Sequence, residues 1–288
     1  MTAGSDALHT ELPAMKSSAD SGPASGASAF CLAAATLWQR ELVRFFRQPS
    51  RVIGGLGSPL LFWVLIGSGL GRSFRPAEAV TAAGSSHYLH YFFAGTFLLI
   101  LLFTAIFSSF SLIQDRKEGF LQGVLVAPVS RGAIVLGKIL GGTTLAVVQG
   151  LLFFMLAPLA GIHVSALTGF YLTACAFLIA FALTGFGFML AWPMDSIQGF
   201  HSIMSLVLLP MWILSGALFP ASGAAGWVKV VMLANPLTYC LNLLRKSLVP
   251  ESVTVPGLGL SLAVTCAFAA VTFTISWVLA CRRTNKPL

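Results

Sequence analysis

The side chains most able to bind or react lie in one short segment, residues 115–119, which reads Asp-Arg-Lys-Glu-Gly. Apolar residues follow it at the spacing i, i+1, i+4 and i+5, namely Phe120, Leu121, Val124 and Leu125. This spacing predicts a short helix with one apolar face, which Pro128 ends before Ser130 caps the next helix. Such a helix can dock in a groove of another protein or lay its apolar face on lipid, and the spacing leaves both interpretations open.

Residues 132–138 match the pattern GxxxxGK, with which a phosphate-binding loop begins. The next residue is Ile139 instead of the Ser or Thr that would bind magnesium, and no strand precedes the segment. No other segment offers a nucleotide site. We therefore predict that this chain binds no ATP and carries no cofactor of its own.

The histidines and cysteines do not form a catalytic or metal-binding pattern. The histidines are His9, His87, His90, His163 and His201, without an HExxH motif or a Ser-His-Asp arrangement at useful spacing. The cysteines are Cys31, Cys175, Cys240, Cys266 and Cys281, and none forms a CxxC pair. We therefore predict a protein that is not an enzyme, with no catalytic residue, no metal site and no disulfide.

The elements that position these residues are membrane helices. Hydrophobic residues make up 57% of the 288 positions and charged residues only 9%, whereas a soluble domain carries roughly 25% charge. Six apolar segments each approach the ~20 residues that a bilayer requires. They predict an all-α polytopic protein with spans at about 52–70, 91–113, 133–159, 167–191, 200–219 and 258–281.

Two shorter segments complete the predicted architecture of a single transmembrane domain over residues 30–288. After a disordered tail at 1–29, apolar residues recur at helical spacing between Ala34 and Phe46. This predicts an amphipathic interfacial helix, with Trp38 on its apolar face and a basic face formed by Arg40, Arg44 and Arg47. The apolar stretch 227–244 is interrupted at Asn235-Pro236, which predicts a re-entrant or interfacial hairpin.

The distribution of Lys and Arg predicts the orientation in the membrane. With the N-terminus inside, eleven basic residues of the spans and loops face the cytoplasm and five face outward. The inner group is Arg40, Arg44, Arg47, Arg51, Arg116, Lys117, Arg131, Lys138, Arg282, Arg283 and Lys286; the outer group is Arg72, Arg75, Lys229, Arg245 and Lys246. Both termini are therefore predicted to be cytoplasmic. The same placement at span ends disfavours nucleic acid as a partner.

Two stretches of the chain carry a resemblance to a known family. The first comprises residues 115–119, Leu121, the Val-Ala-Pro-Val-Ser turn at 126–130 and the Leu-Gly-Lys run at 136–138. The second comprises residues 214–220, 234–239 and 244–245. In this order and on a six-span layout, they resemble the membrane subunits of type-2 ABC exporters. The similarity is greatest to the permeases of daunorubicin-type drug export and nodulation-factor lipooligosaccharide export.

The resemblance implies roles for these segments. The loop before the third span would be the coupling helix, which contacts the ATPase through Asp115, Arg116, Lys117, Glu118, Gly119, Phe120 and Leu121. Glu118 occupies the family's acidic position, but Phe120 and Gln122 replace the Thr and Glu that often follow. The amphipathic helix would be the connecting helix, and Asn235, Pro236 and Tyr239 would belong to outer re-entrant helices.

The resemblance also implies partners and location. Two copies of a separate ATPase would hold ATP and magnesium, and this chain would form a homodimer in the bacterial inner membrane. The cargo would be a drug, a lipid-linked glycan or a lipooligosaccharide.

The sequence keeps two other classes of function in consideration. A secondary transporter or channel usually has ionisable groups at mid-membrane, and the predicted spans contain only Lys138, near one end. For a membrane-embedded enzyme, the sequence offers no candidate catalytic residues.

Gln149 in the third span has two interpretations. It lines a dimer interface or a cargo path, or it forms a hydrogen bond with a neighbouring helix. Asp195 is predicted to be a solvated acid in a turn, and the Gly137/Gly141 pair to serve helix packing.

Overall fold

The structure is a computed structural model that describes residues 26–70, 86–120, 123, 130–162, 165–248 and 256–282. Throughout these ranges the chain is helical, with turns and no strand. The helices are α1 (Gly26–Phe46), α2 (Pro49–Leu70), α3 (Ser86–Ser108), α4 (Phe110–Lys117), α5 (Arg131–Phe154), α6 (Ala166–Ala191), α7 (Ile197–Trp212), α8 (Gly226–Ala234), α9 (Pro236–Leu248) and α10 (Leu258–Cys281). A π-helical turn, Ile213–Ala217, continues α7.

Six segments within the described residues are long and apolar enough to cross a membrane. They are Val52–Gly69, Tyr88–Lys117, Arg131–Phe154, Ala166–Ala191, Ile197–Ala217 and Leu258–Cys281. The prediction of an all-α polytopic membrane protein with six spans is therefore confirmed. The predicted tail at 1–25 and the predicted coupling-helix positions 121, 122 and 124–129 lie outside the described residues.

Three boundaries differ from the sequence prediction. Residues 26–29 were assigned to the tail, but they form the first turn of α1. The second span continues through α4 to Lys117 instead of ending at residue 113, so the charged segment begins inside a helix. The third span ends at Phe154, and residues Ala157–Ala160 form a 3₁₀ turn, because Pro158 lacks the N–H that would continue the α-helix.

Helices α3, α5 and α6 pack against one another at the centre of the bundle. Aromatic rings fill this core: Phe93 and Phe153 stack with their centroids 4.5 Å apart, and Trp63 of α2 meets both edge-on. The segments of α2, α7 and α10 that could span the membrane are much less buried than that of α3. These three helices therefore form the outer surface of the described chain.

Helix α1 lies along α5 at a distance that only glycine permits. A Cβ atom at Gly137 would stand 2.6 Å from the Ala34 carbonyl oxygen, and one at Gly141 would stand 2.7 Å from the Glu41 Cβ. The Gly137/Gly141 pair therefore packs two helices closely, as its spacing predicted. The predicted cap at Ser130 is also present, since its hydroxyl accepts a hydrogen bond from the Ala133 N–H.

Candidate functional site

Five charged side chains from three helices meet around Asp115, and we name them the Asp115 cluster: Arg40, Glu41, Arg44, Asp115 and Lys138. The Asp115 carboxylate is fully buried. Arg40 donates to both of its oxygens, at 2.9 and 2.8 Å, and Arg44 donates to one of them at 2.6 Å. Lys138 donates to Asp115 and, at 2.6 Å, to Glu41. The cluster therefore joins α1, α4 and α5 through charge-assisted hydrogen bonds.

The geometry of the cluster follows from helix periodicity. Arg40 and Arg44 are one turn apart on α1, so both guanidinium groups point the same way and reach one carboxylate. The hydrogen bond to Asp115 raises the pKa of the Arg40 guanidinium above its usual value. A buried ion that lost these partners would cost several kcal/mol. The arrangement therefore links α1, α4 and α5.

Two residues of the predicted basic face of α1 are engaged inside the chain. Arg40 and Arg44 were predicted to form the basic face of an interfacial helix, but both turn toward Asp115, and their side chains are only 30% and 17% exposed. The physical reason is that Asp115 lies inside the helical segment and requires counter-ions. Arg47 is exposed as predicted, and the Trp38 indole donates to Thr144 on α5 at 3.0 Å.

Arg116 points away from the cluster and reaches the loop between α6 and α7. It donates to the carbonyls of Trp192 and Met194 and pairs with Asp195 at 3.0 Å. The Asp195 side chain is 83% exposed, so it is the solvated turn acid that its position predicted. Arg116 thus connects the end of the second span to the loop between the fourth and fifth spans.

Lys117 and Glu118 are the exposed members of the charged segment. Gly119 follows in the left-handed conformation, with φ of 75°, which redirects the chain at the end of α4. The ring of Phe120 then lies under the Arg40 guanidinium, 3.6 Å from its centre. Of the residues predicted to contact a partner, Asp115 is thus inaccessible and Arg116 is engaged within the chain. Glu118 lies 3.6 Å from Arg44, but its side chain is 60% exposed. Leu121 lies outside the described residues.

A second polar region lies at the other end of the bundle, around Gly216, and we call it the Gly216 end. Gly216 has φ of 90° inside the π-helical turn, so the fifth span is broken there. Its carbonyl accepts hydrogen bonds from the Tyr91 hydroxyl at 2.8 Å and from Arg245 at 2.7 Å. The Arg245 guanidinium also stacks on the Tyr91 ring at 4.3 Å. Broken backbone in an apolar bundle requires such partners.

The predicted break at Asn235-Pro236 is present as a bend of 81° between α8 and α9. The Asn235 side chain accepts from the Leu237 N–H at 3.0 Å and donates to the Met211 carbonyl at 2.6 Å. Tyr239 donates to the Leu233 carbonyl at 2.8 Å across the bend. Side-chain hydrogen bonds therefore stabilise the bend on both sides. That α8 and α9 enter the membrane only partway stays a prediction.

Sequence reasoning missed the roles of Glu41, Tyr91 and Arg245, and it treated Lys138 as an isolated charge. One available signal was the position of Lys138 within an apolar span, since a cation there requires a buried anion. The described residues contain no group of three or more His, Cys, Asp or Glu side chains that could hold a metal ion.

Comparisons with known proteins show similarity to membrane permeases. The family described as ABC-2 type transporter matches residues 33–249, a range that includes the Asp115 cluster and the Gly216 end. Nodulation protein J of Rhizobium meliloti (strain 1021) is 25% identical over 262 residues, covering 86% of this chain and 92% of that protein. Ycf38 of Cyanophora paradoxa, named as a transport permease, is 29% identical over 218 residues, covering 73% and 71%. The inner membrane transport permease YhhJ of Escherichia coli K12 is 28% identical over 146 residues, covering 50% and 39%.

Proposed function

Because this chain belongs to the ABC-2 type transporter family and is a membrane permease of an ABC transporter, we propose that it is the export subunit of a machine powered by a separate ATPase. The observation that carries the proposal is the contrast within the charged segment. Asp115 is anchored in the bundle, while Lys117 and Glu118, two and three residues later, are exposed. Two exposed residues of opposite charge at the end of a firmly held helix are suited to a docking contact.

The Asp115 cluster explains how a force on that contact would reach the spans. Motion of Lys117 and Glu118 pulls on α4, and α4 is bonded through Asp115 to α1 and α5. Arg116 carries the same motion to the loop before α7. ATP hydrolysis on the partner, with its magnesium, would supply the energy. Gly119, Phe120 and Leu121 complete the proposed contact segment.

The assembly that we propose contains two copies of this chain and two copies of the ATPase. It resides in a bacterial inner membrane with both termini in the cytoplasm, which places the Asp115 cluster on the cytoplasmic side. The cargo is amphipathic: a drug, a lipid-linked glycan or a lipooligosaccharide. The resemblance of residues 115–138 and 214–245 to the permeases of drug and lipooligosaccharide export is what supports this class of cargo.

The test is to co-express the chain with each ABC ATPase of its source organism that lacks membrane spans of its own, and to measure co-purification and nucleotide-dependent stimulation of the ATPase. Glu118→Arg reverses the exposed charge and is expected to weaken association about tenfold or more, as do charged contacts in other interfaces. Lys229→Glu is the matched control, since Lys229 is also exposed but lies on α8. Unchanged association and stimulation in Glu118→Arg would contradict the proposal.

A secondary transporter is the second candidate, and the Asp115 cluster is the observation that favours it. Buried ionisable groups in a span mark proton relays in many transporters. Uptake into vesicles that is driven by an imposed proton gradient alone, without nucleotide, would support this class. The same gradient should have no effect if the chain requires an ATPase.

A further inference from the structure

Two buried nitrogen atoms at the Gly216 end form no hydrogen bond within the part of the chain that the structure describes. They are Nδ2 of Asn242 and Nε of Arg245, both on α9. Asn242 is only 6% exposed. A buried N–H group that loses water without gaining an acceptor is costly, and nearly all such groups in proteins are paired. These two nitrogens therefore require an acceptor that the described residues do not supply.

The two nitrogens are placed so that one acceptor can bond both. Asn242 and Arg245 are three residues apart on α9, so their side chains lie on the same face of the helix. Nη2 of Arg245 donates to the Gly216 carbonyl at 2.7 Å, and the guanidinium group lies over the Tyr91 ring at 4.3 Å. These contacts fix the guanidinium group. Arg245 and Tyr91 are only partly buried, so a ligand can approach from the surface of the bundle.

The distribution of charge indicates that the acceptor is an anion. All acidic side chains of the described residues lie at the Asp115 end; they are Glu41, Asp115, Glu118 and Asp195. The described residues therefore provide no carboxylate for Arg245, and Lys246 adds a second positive charge at the end of α9. A water molecule would satisfy the two N–H groups, but it would leave the charge of Arg245 uncompensated in apolar surroundings.

Neighbouring side chains place the two nitrogens near the level of lipid headgroups. Helix α8 exposes Trp227, Val230 and Leu233, as expected for a helix that lies along the membrane surface. Tyr88 begins the apolar segment of the second span, and tyrosine and tryptophan concentrate at the boundary between lipid and water. Lipid phosphates lie at this boundary. A phosphate oxyanion also accepts several hydrogen bonds at once and matches the planar guanidinium group.

We propose that the Gly216 end binds a phosphate oxyanion, which accepts hydrogen bonds from Nδ2 of Asn242 and Nε of Arg245. The phosphate belongs either to a phospholipid headgroup or to inorganic phosphate in solution, and the chemistry of recognition is the same for both. Binding stabilises the break in the fifth span, because it fixes the arginine that donates to the Gly216 carbonyl. The Asp115 cluster and the proposed ATPase contact lie at the opposite end of the bundle, so this inference does not depend on them.

The test measures lipid binding to the full chain by native mass spectrometry, in a neutral detergent without phosphate. Phosphatidylglycerol is compared with a diacylglycerol that has the same acyl chains but no phosphate. The Kd of the first bound phosphatidylglycerol is expected to be about tenfold lower, equivalent to ~1.4 kcal/mol. Inorganic phosphate at constant ionic strength is the second arm, measured by its effect on thermal unfolding. The arm in which binding is found identifies the source of the phosphate.

Two variants remove one donor each. Asn242→Leu has a similar shape but no N–H group in its side chain, and Arg245→Lys keeps the positive charge but lacks Nε. Each is expected to weaken phosphatidylglycerol binding about tenfold, which is the contribution of one hydrogen bond to a charged group. Lys229→Ala is the matched control, because Lys229 is an exposed cation on α8 whose loss should leave binding unchanged. A general attraction between lipid phosphate and positive charge would instead weaken binding in Lys229→Ala and leave it unchanged in Asn242→Leu.

Thermal unfolding distinguishes a ligand contact from a purely structural role of Asn242. Without phosphate or phospholipid, Asn242→Leu should unfold at the same temperature as the unsubstituted chain or at a higher one, because it removes a buried donor that lacks an acceptor in the described chain. With saturating phosphatidylglycerol, the midpoint should rise by about 2–4 °C in the unsubstituted chain and stay unchanged in Asn242→Leu. An equal decrease of the midpoint under both conditions would show that Asn242 only packs the helices.

The competing acceptor is a carboxylate of the chain itself, from Glu78 or Glu251, which lie outside the described residues. Glu78→Gln and Glu251→Gln are expected to bind phosphatidylglycerol with the Kd of the unsubstituted chain. Binding that occurs only in one of these variants would assign Arg245 to that carboxylate and overturn the inference. Equal Kd values for phosphatidylglycerol and the diacylglycerol, together with no effect of inorganic phosphate, would also overturn it. So would binding that neither Asn242→Leu nor Arg245→Lys weakens.

Discussion

At the Asp115 end, a fully buried carboxylate accepts hydrogen bonds from two arginines and a lysine, whereas at the Gly216 end a backbone carbonyl accepts from a phenol and a guanidinium. Both regions satisfy polar groups that an apolar bundle would otherwise leave unpaired. They differ in origin, because the first group is a charge supplied by a side chain and the second is a carbonyl freed by a broken helix.

The two regions are expected to respond differently to substitution. Removing one member of a buried ion cluster leaves an uncompensated charge and costs about 3–5 kcal/mol. If one of the two donors to the Gly216 carbonyl is removed, the other still forms its hydrogen bond. The loss of stability should therefore be smaller. The Asp115 end is therefore expected to hold the bundle together, and the Gly216 end to be the more easily altered of the two.

The largest effect is expected from Asp115→Asn. The three cations would then keep only the buried Glu41 and the exposed Glu118, which lies 3.6 Å from Arg44. The free energy of unfolding should therefore fall by about 3–5 kcal/mol. Thermal unfolding in detergent, followed by tryptophan fluorescence, measures the change. Asp195→Asn is the control, since its carboxylate is exposed and its pair should contribute about 0.5 kcal/mol or less. Similar small losses in both variants would show that the cluster does not hold the bundle.

A smaller effect is expected from Tyr91→Phe at the Gly216 end. The Gly216 carbonyl loses one donor but keeps Arg245, so stability should fall by about 1 kcal/mol. The same unfolding measurement applies, with Tyr171→Phe as control because the Tyr171 side chain is exposed on α6. A loss as large as that of Asp115→Asn would erase the distinction between the two ends.

The smallest effect concerns coupling between the ends. The two regions share no residue, so the losses in the double variant Asp115→Asn/Tyr91→Phe should add to within about 0.5 kcal/mol. A double-mutant cycle of unfolding free energies tests this additivity. A coupling energy above ~1 kcal/mol would instead indicate that the ends act as one unit.

Much of the fold could be predicted because it depends on short stretches of sequence. The six spans follow from runs of apolar residues that match the bilayer thickness. The cap at Ser130 and the break at Asn235-Pro236 follow from the local chemistry of those residues. Less local features were missed, among them the continuation of the second span to Lys117, since polar residues there resembled the start of a loop.

The candidate site could be predicted only in part. The segment 115–119 was identified by its residue types, but Asp115 was assigned to a partner contact although it is buried. Lys138 within a span indicated that a buried anion was needed, but not that this anion is Glu41, which is 97 residues away along the chain. Without the position of α1 along α5, the sequence offers no means to choose between an arginine on an interfacial basic face and one in a buried ion pair.

The number of spans, the cap at Ser130 and the break at Asn235-Pro236 could therefore be read from the sequence, because each depends on neighbours within a turn or two. Which charges are buried, and which groups pair with them, depends on the tertiary structure. Asp115 and Arg40 lie 75 residues apart, and Tyr91 and Gly216 lie 125 apart. Burial of a polar group depends on the packing of distant segments. Only that packing left Asp115 and Arg116 engaged within the chain and the next two charged residues exposed.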